Sequence, residues 1–292
     1  MIVMDKKLLA FLGVAFSYIV WSLMGLVLNK SAFTPFQNEF LASATVVICL
    51  LLIPNFRKKL QISKKMLFTK QALLLGISAG IAGALWLNAL TLLPIGQAVF
   101  LYNSLPLFAF IFEILLLKES LDIKRFGILL TGIVGLGIIL SSDLSTNHQF
   151  FSLGSLAVLT AAFFQALAGI SNKKLSKTHS IETILLIITF FQTIVVAPIA
   201  LMQPWHFTLL SFLGAIGFLG IIATLFAFYT YISAFTRLKT SSIMLVGYIE
   251  PLFASLWGFL FLFQQLPLTV FLGGAITLFA GYFMVKLEQK TS

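Results

Sequence analysis

Charged residues are scarce in this chain: only 10% of its 292 residues are Asp, Glu, Lys or Arg, whereas 60% are apolar. Soluble globular domains contain about 25% charged residues, so this chain has too little polar surface to cover a water-soluble particle. The mean hydropathy of +1.06 and the 31 phenylalanines also exclude disorder, because disordered chains are poor in aromatic residues and rich in charge. The composition is that of a polytopic membrane protein.

Cysteine is nearly absent as well. The one cysteine, Cys49, excludes an internal disulfide framework, and no Cys/His cluster has the spacing of metal ligands. The phosphate-binding pattern G-x-x-x-x-G-K-[ST] does not occur either, which excludes an ATP-driven pump within this one chain. We therefore expect no metal and no cofactor.

Long apolar stretches are what the chain has instead. A helix needs about 20 mostly apolar residues to cross the hydrocarbon core of a bilayer. Glu39 and Glu182 lie near the ends of two such stretches. The predicted spans are 8–28, 37–55, 70–90, 95–117, 124–141, 151–171, 181–201, 208–232, 240–262 and 267–285. They predict an all-α integral membrane protein with ten transmembrane helices and no soluble domain between them.

The positive charges predict the orientation. With the N-terminus in the cytoplasm, 18 of the 19 Lys and Arg residues fall on the cytoplasmic side, and Lys30 alone falls on the other. Such an asymmetry is typical of multi-pass proteins. It explains the net charge of +10 without nucleic-acid binding. We expect both termini in the cytoplasm and the protein in the plasma (inner) membrane.

The two halves of the chain resemble each other. Residues 89–109 align without a gap on residues 234–254, with seven identities that include a Pro-Leu-Phe-Ala run. Each half holds five predicted helices, an odd number, so the second half must enter the membrane from the opposite face. The sequence thus predicts two inverted repeats, 1–145 and 146–292, an architecture that secondary transporters use for alternating access.

These features resemble the EamA branch of the drug/metabolite transporter superfamily. The resemblance rests on Tyr248-Ile-Glu-Pro-Leu-Phe-Ala in the ninth span, the related Leu-Pro-Leu-Phe-Ala run in the fourth, and Lys118-Glu-Ser-Leu followed by Gly127. It covers essentially the whole chain and implies movement of small metabolites, often amino acids and frequently outward. One departure is Gln264-Gln265, where the family usually has an acidic residue.

Three residues carry the strongest hints of a substrate site. Pro106 and Pro251 lie near the middles of the fourth and ninth spans, and a proline there kinks a helix. Paired interruptions at equivalent places in two repeats point to a site at the membrane midplane. Glu250 lies near the bilayer centre, where a carboxylate costs at least about 2.5 kcal/mol and marks a pathway by default. Glu250 could bind an amine, take part in proton coupling, or donate a hydrogen bond to carbonyls freed by Pro251. The equivalent position of the first repeat is Leu105.

Other polar and aromatic residues within the spans complete the predicted site. Polar groups in hydrocarbon need partners in a neighbouring helix or a wet cavity, although each ring could instead serve as packing or as an interfacial anchor. Glu113 is interpreted as a residue that pairs locally near the interface, and Glu119 as part of a loop or gate ion pair. The predicted lining residues are Trp21, Trp86, Asn88, Tyr102, Asn103, Gln165, Tyr229 and Tyr248.

The sequence favours a secondary transporter, most simply an exporter, of a small metabolite such as an amino acid or related amphipathic compound. A flippase for a lipid-linked carrier and a metabolite importer or exchanger stay open, as do proton coupling and a homodimer. An intramembrane enzyme is disfavoured because the three histidines are scattered over loops and no nucleophile–base pair is found. A channel is disfavoured because no ring-forming motif or charged constriction is visible.

Overall fold

A computed structural model describes residues 6–61, 69–93, 95–141, 152–263 and 267–290. The predicted helix-only class is confirmed within these ranges, which contain helices and turns and no strand. Gln264 and Gln265 lie outside the described residues. The α-helices are α1 (Lys6–Ser22), α2 (Met24–Asn29), α3 (Pro35–Leu52), α4 (Pro54–Arg57), α5 (Lys70–Leu92), α6 (Ile95–Tyr102), α7 (Leu105–Leu117), α8 (Ile123–Ile139), α9 (Leu153–Leu175), α10 (Ile181–Met202), α11 (Leu209–Leu213), α12 (Phe228–Ala234), α13 (Thr240–Leu245), α14 (Ile249–Leu262) and α15 (Leu268–Lys290).

Nine helical stretches of the described chain are long and apolar enough to cross a membrane. Helix α8, which corresponds to the predicted fifth span, has 17 residues and is the one predicted span that does not meet that length. The ten-span count and the side on which the termini lie therefore stay predictions. The nine stretches are Lys6–Asn29, Pro35–Leu52, Lys70–Ala89, Ala98–Leu117, Leu153–Leu175, Ile181–Met202, Leu209–Ala234, Thr240–Phe261 and Leu268–Lys290.

Hydroxyl and carboxylate N-caps start many of these helices. Thr34 and Gln37 form a capping box at α3, and Ser180 accepts from the Thr183 N–H at the matched helix α10. At α8, Asp122 accepts from the backbone N–H groups of the second and third helical residues. Such caps pair backbone donors that the first helical turn leaves free, and each contributes about 1 kcal/mol.

The regular α-helix is interrupted just before Pro106 and just before Pro251. Helix α6 ends at Tyr102, and α7 begins at Leu105 with Pro106 in its first turn. In the second half, a 3₁₀ turn over Val246–Tyr248 separates α13 from α14, in whose first turn Pro251 lies. The bend of the two helices at these prolines stays a prediction. A proline at the start of a helix lacks an N–H that would have no partner there anyway.

A π-helical segment, Gly214–Ala227, joins α11 to α12. Its wider turn is visible in the Thr224 hydroxyl, which donates to the carbonyl of Leu219 five residues earlier at 2.7 Å. The Trp21 indole N–H of α1 donates to the Ala223 carbonyl of the segment at 2.8 Å. Irregular turns of this type occur often at functional sites.

The helices pack in matched sets. Helix α3 lies against α10, and α8 lies against α15. Three further sets of contacts correspond between the halves: α5 with α9 and α1 with α12; α5 with α10 and α3 with the π segment; α7 with α9 and α1 with α14. Helix α7 also lies against α13. These contacts join helices of one half to helices of the other, so the centre of the molecule lies between the halves.

Candidate functional site

A cavity of about 220 Å³ lies between the two halves. Both halves contribute to it, through the first three spans and α6–α7 on one side and through α9, α10, the π segment and α12–α14 on the other. Its described lining is Tyr18, Trp21, Met24, Leu28, Glu39, Gly83, Trp86, Leu87, Tyr102, Asn103, Leu105, Gln165, Gln192, Thr224, Phe228, Tyr231, Met244 and Glu250.

Aromatic rings form two walls of this cavity. On one wall, Trp21 packs against Phe228, with ring centroids 4.8 Å apart, and against Tyr231 at 5.2 Å. Tyr18 joins them in an edge-to-face contact with Trp21 at 5.0 Å. On the other wall, Trp86 and Tyr102 pack with centroids 4.6 Å apart. The cavity is thus bordered by flat apolar ring faces, and the Trp and Tyr rings among them also carry a polar group.

Two carboxylates, Glu39 and Glu250, line the same cavity. Glu250 lies in the first turn of α14, where the positive end of the helix dipole favours a negative charge. In the described part of the chain, neither carboxylate has a hydrogen bond or an ion pair.

The cavity is built from equivalent positions of the two halves. Three pairs of lining residues are separated by 145 residues, the offset of the sequence repeat, and Trp21 and Gln165 are separated by 144. The chemistry within each pair nevertheless differs, so that a two-fold arrangement of positions carries an asymmetric set of side chains. The pairs are Trp21 with Gln165, Gly83 with Phe228, Trp86 with Tyr231, and Leu105 with Glu250.

The structure brings together six of the residues proposed from the sequence and separates the others from them. Asn88 is exposed, and Pro106 and Pro251 are buried; none of these three is part of the described lining. The six that line the cavity are Trp21, Trp86, Tyr102, Asn103, Gln165 and Glu250.

Tyr248 and Tyr229 lie elsewhere. Tyr248 is fully buried, and its ring is so close to α8 that a Cβ atom on Gly132 would stand 2.6 Å from it. The Tyr229 hydroxyl donates to Glu182 at 3.2 Å, and Lys59 pairs with the same carboxylate oxygen at 3.2 Å. This hydrogen bond to Glu182, together with the nearby Tyr229 phenol, raises the pKa of the Lys59 ammonium. Tyr229 therefore joins α12 to the start of α10, and Lys59 joins the segment after α4 to the same carboxylate.

A buried ion cluster crosses between the halves beyond the cavity. Arg125 of α8 is 1% exposed and pairs with Glu113 at 3.7 Å and with Glu288 at 3.2 Å. Glu113 also accepts from the backbone N–H and hydroxyl of Ser241, at 2.9 and 2.6 Å, and Glu288 accepts from the Ser242 hydroxyl at 2.6 Å. Glu113 thus binds partners far along the chain, contrary to the local pairing expected from the sequence.

Nearby contacts extend this connection. Glu119 pairs with Lys239 at 2.6 Å, rather than with the neighbouring residues of its own loop. The ammonium of Lys173 donates to the Leu238 carbonyl, and that of Lys7 to the Glu288 carbonyl. Polar contacts therefore join α7, α8, α9, α13 and α15 at this end of the molecule.

Proteins of known function resemble the chain over most of its length. It is 32% identical to a riboflavin transporter of Vibrio cholerae (71% of this chain, 68% of the relative). It is 25% identical to an S-adenosylmethionine uptake transporter of Rickettsia prowazekii (70% and 68%) and 24% identical to the pseudopaline exporter CntI of Pseudomonas aeruginosa (72% and 74%).

A solved structure matches the fold of the chain, and a family model matches its sequence. A protein of known crystal structure superposes with a TM-score of 0.76 at 17% identity, over 96% of this chain and 98% of its own; at that identity the likeness shows the fold alone. The model of the EamA-like transporter family matches residues 6–141 and again residues 152–286. The prediction that the chain is not an enzyme is confirmed by these transporter relatives. The chain belongs to the EamA-like transporter family of the drug/metabolite transporter superfamily and is a multi-pass protein of the plasma membrane.

Proposed function

We propose that this small-molecule transporter is a secondary carrier that exports an amphipathic metabolite, such as an amino acid or a related compound, by alternating access around the central cavity. One observation carries the proposal: the cavity is lined by equivalent positions of both halves, as in Leu105 and Glu250. A site on the axis that relates two halves can open to either side when the halves exchange conformations.

The repeat boundaries belong to the same proposal. We assign residues 1–145 to the first five-helix unit and 146–292 to the second, inverted one. The family model, which matches twice, and the matched helix contacts support this division.

Within the cavity, we assign substrate contact to Glu250 and to the aromatic walls. A carboxylate with no protein partner binds an amine or a titrating proton, and either event changes the charge of the cavity. Coupling to a proton gradient is part of the proposal. The relatives named for uptake of S-adenosylmethionine, for riboflavin and for export of pseudopaline define the range of compounds to be tested.

Transport by the purified protein in liposomes tests the proposal. The panel holds amino acids, amines, nucleosides, riboflavin and S-adenosylmethionine, each with and without a pH gradient. We expect saturable flux of at least one compound, and Glu250→Gln should change that flux or its pH dependence at normal expression. Tyr229→Phe is the matched control, because Tyr229 lies outside the cavity. Absence of saturable flux across the panel would contradict the proposed function, and unchanged flux of Glu250→Gln at every pH would remove Glu250 from it.

The direction needs a cellular measurement. Intracellular and medium metabolites are compared between a strain that lacks the protein and one that overproduces it. Accumulation of the substrate in the medium of the overproducing strain is expected for export. Its faster disappearance from that medium would instead identify uptake.

A further inference from the structure

We infer that the cavity selects organic cations with a flat apolar body, with highest affinity for those that carry two basic groups, and that Glu39 is the second anionic determinant. The inference rests on the proposed substrate role of the cavity. It adds a residue that the sequence identified only by its place near a span end.

The charges of the cavity form the first argument. Glu39 comes from α3 of the first half and Glu250 from α14 of the second, so that negative groups enter from both halves. No lysine, arginine or histidine occurs among the described lining residues. A carboxylate away from bulk water is costly unless a positive charge pairs with it. Since the described lining offers none, the neutralising charge is a proton or a cationic group of the ligand, and a ligand with two basic groups can supply it to both carboxylates at once.

The absence of competing partners forms the second argument. The buried carboxylates elsewhere in the described chain each have an ion-pair partner: Glu113 and Glu288 pair with Arg125, and Glu182 pairs with Lys59. The side-chain carboxylates of Glu39 and Glu250 make no hydrogen bond or ion pair within the described ranges, although each residue is half-buried. Their acceptor oxygens are therefore free to bind a ligand.

The walls form the third argument. Trp86 and Tyr102 form one packed group of rings in the lining, and Trp21, Phe228 and Tyr231 form another. Aromatic faces attract cations within about 6 Å of the ring, most strongly where water is excluded. They also stack on flat rings. Carboxylates together with aromatic walls favour a cationic, ring-bearing ligand over a neutral or anionic one.

The volume limits the size of that ligand. At about 220 Å³, the cavity falls at or below the lower end of the range for small-molecule sites. A single ring with two short arms fits such a volume.

A series of compounds on one para-xylene frame tests the inference by isothermal titration calorimetry on the full-length protein in detergent at pH 7.5. The probes are 1,4-bis(aminomethyl)benzene with two positive charges, 4-methylbenzylamine with one, and 1,4-benzenedimethanol with none. The fourth probe, terephthalate, carries two negative charges. We expect affinity to fall in that order, by about tenfold for each positive charge lost, equivalent to about 1.4 kcal/mol.

Variants assign the effect to the two carboxylates. Glu39→Gln should weaken binding of the diamine about tenfold and leave the diol within about twofold, and Glu250→Gln should do the same. Glu39→Asp should retain the charge ranking, which separates loss of charge from loss of folding. Glu119→Gln is the control, because Glu119 pairs with Lys239 outside the cavity.

The outcomes separate this inference from the transport proposal. Equal affinity for the diamine and the diol, tighter binding of terephthalate, or an unchanged diamine affinity in Glu39→Gln would overturn the ligand class. Saturable flux of neutral or anionic compounds alongside such results would leave transport intact. Charge-ranked binding without flux of any compound would retain the ligand class and contradict transport.

Discussion

Lys118 and Phe263, which are 145 residues apart, adopt the same left-handed backbone conformation, with φ angles of 56° and 55°. The N–H of Lys118 bonds to the Glu113 carbonyl, and the N–H of Phe263 bonds to the Gly258 carbonyl, also 145 residues apart. They are the two non-glycine residues with positive φ in the described chain. The repeat thus extends to the way in which α7 and α14 end.

Glycine at either cap should stabilise the protein. A left-handed residue with a Cβ atom costs about 1–2 kcal/mol relative to glycine, and glycine is the residue that most often ends helices in this way. We expect Lys118→Gly and Phe263→Gly each to raise the melting temperature in detergent. Leu116→Gly, within α7, is the matched control and should lower it, by about 1 kcal/mol of stability. A lower melting temperature for both cap variants would contradict the strained caps.

Removal of the Arg125 side chain should destabilise the protein strongly. Arg125→Met leaves the buried carboxylates of Glu113 and Glu288 without their cation, a loss of about 3–5 kcal/mol. The triple variant Glu113→Gln/Arg125→Met/Glu288→Gln should unfold at a higher temperature than Arg125→Met alone, because it leaves no buried charge uncompensated. Arg57→Met removes an exposed arginine and serves as control. The buried cluster would be refuted if Arg125→Met and Arg57→Met melted at the same temperature.

The crossing of α8 and α15 should tolerate no added methyl group at Gly135. A Cβ atom there would lie 2.7 Å from the Thr277 hydroxyl oxygen and 2.9 Å from the Gly273 carbonyl oxygen, whereas at Gly127 on the same helix nothing lies within 4 Å. We expect Gly135→Ala to cost about 1–3 kcal/mol, and Gly127→Ala to be neutral or stabilising by up to about 1 kcal/mol. Thermal unfolding of the two variants provides the comparison, and a reversed order would exclude a tight contact at Gly135.

The predicted orientation can be tested with single cysteines. In a background with Cys49→Ser, Lys30→Cys should react with a membrane-impermeant thiol reagent added to intact cells. Lys58→Cys should react only after the cells are opened, since the positively charged segments stay in the cytoplasm. Labelling of Lys58→Cys in intact cells would invert the assigned sidedness.

The sequence alone predicts the features that depend on local or periodic patterns along the chain. Apolar stretches, helix-breaking prolines and the repeat offset are local or periodic features, and the structure contains breaks before both Pro106 and Pro251. Glu250 was singled out because a carboxylate in the middle of an apolar stretch needs a reason. The structure places it on the cavity.

Helical geometry explains which proposed residues lie apart from the cavity. Tyr229, Tyr248 and Asn88 are each two positions from a lining residue, namely Tyr231, Glu250 and Trp86. Residues two apart on a continuous helix face nearly opposite directions, so Tyr229, Tyr248 and Asn88 turn away from the cavity that their neighbours line. The sequence shows this spacing, but only the packing of the helices shows which member of each pair faces the cavity.

Other features depend on tertiary packing. Glu39 could be judged only by its place near a span end, because the sequence does not say which side of α3 faces the other half. The partners of Glu113 are Arg125 and Ser241. Ser241 lies 128 residues away, and no local pattern connects them.

The unequal chemistry of matched positions has a thermodynamic consequence. Two halves with identical side chains would give inward- and outward-open forms of equal free energy. Here Glu113 joins a buried ion cluster, whereas its counterpart in the repeat is Gly258, so the two ends of the proposed pathway are held by different contacts. A ligand shifts an equilibrium only by its difference in affinity for the two forms. In the proposed alternating-access cycle the two forms therefore differ in free energy at rest, and binding of the cargo or of an ion supplies the free energy that breaks the contacts of the cluster.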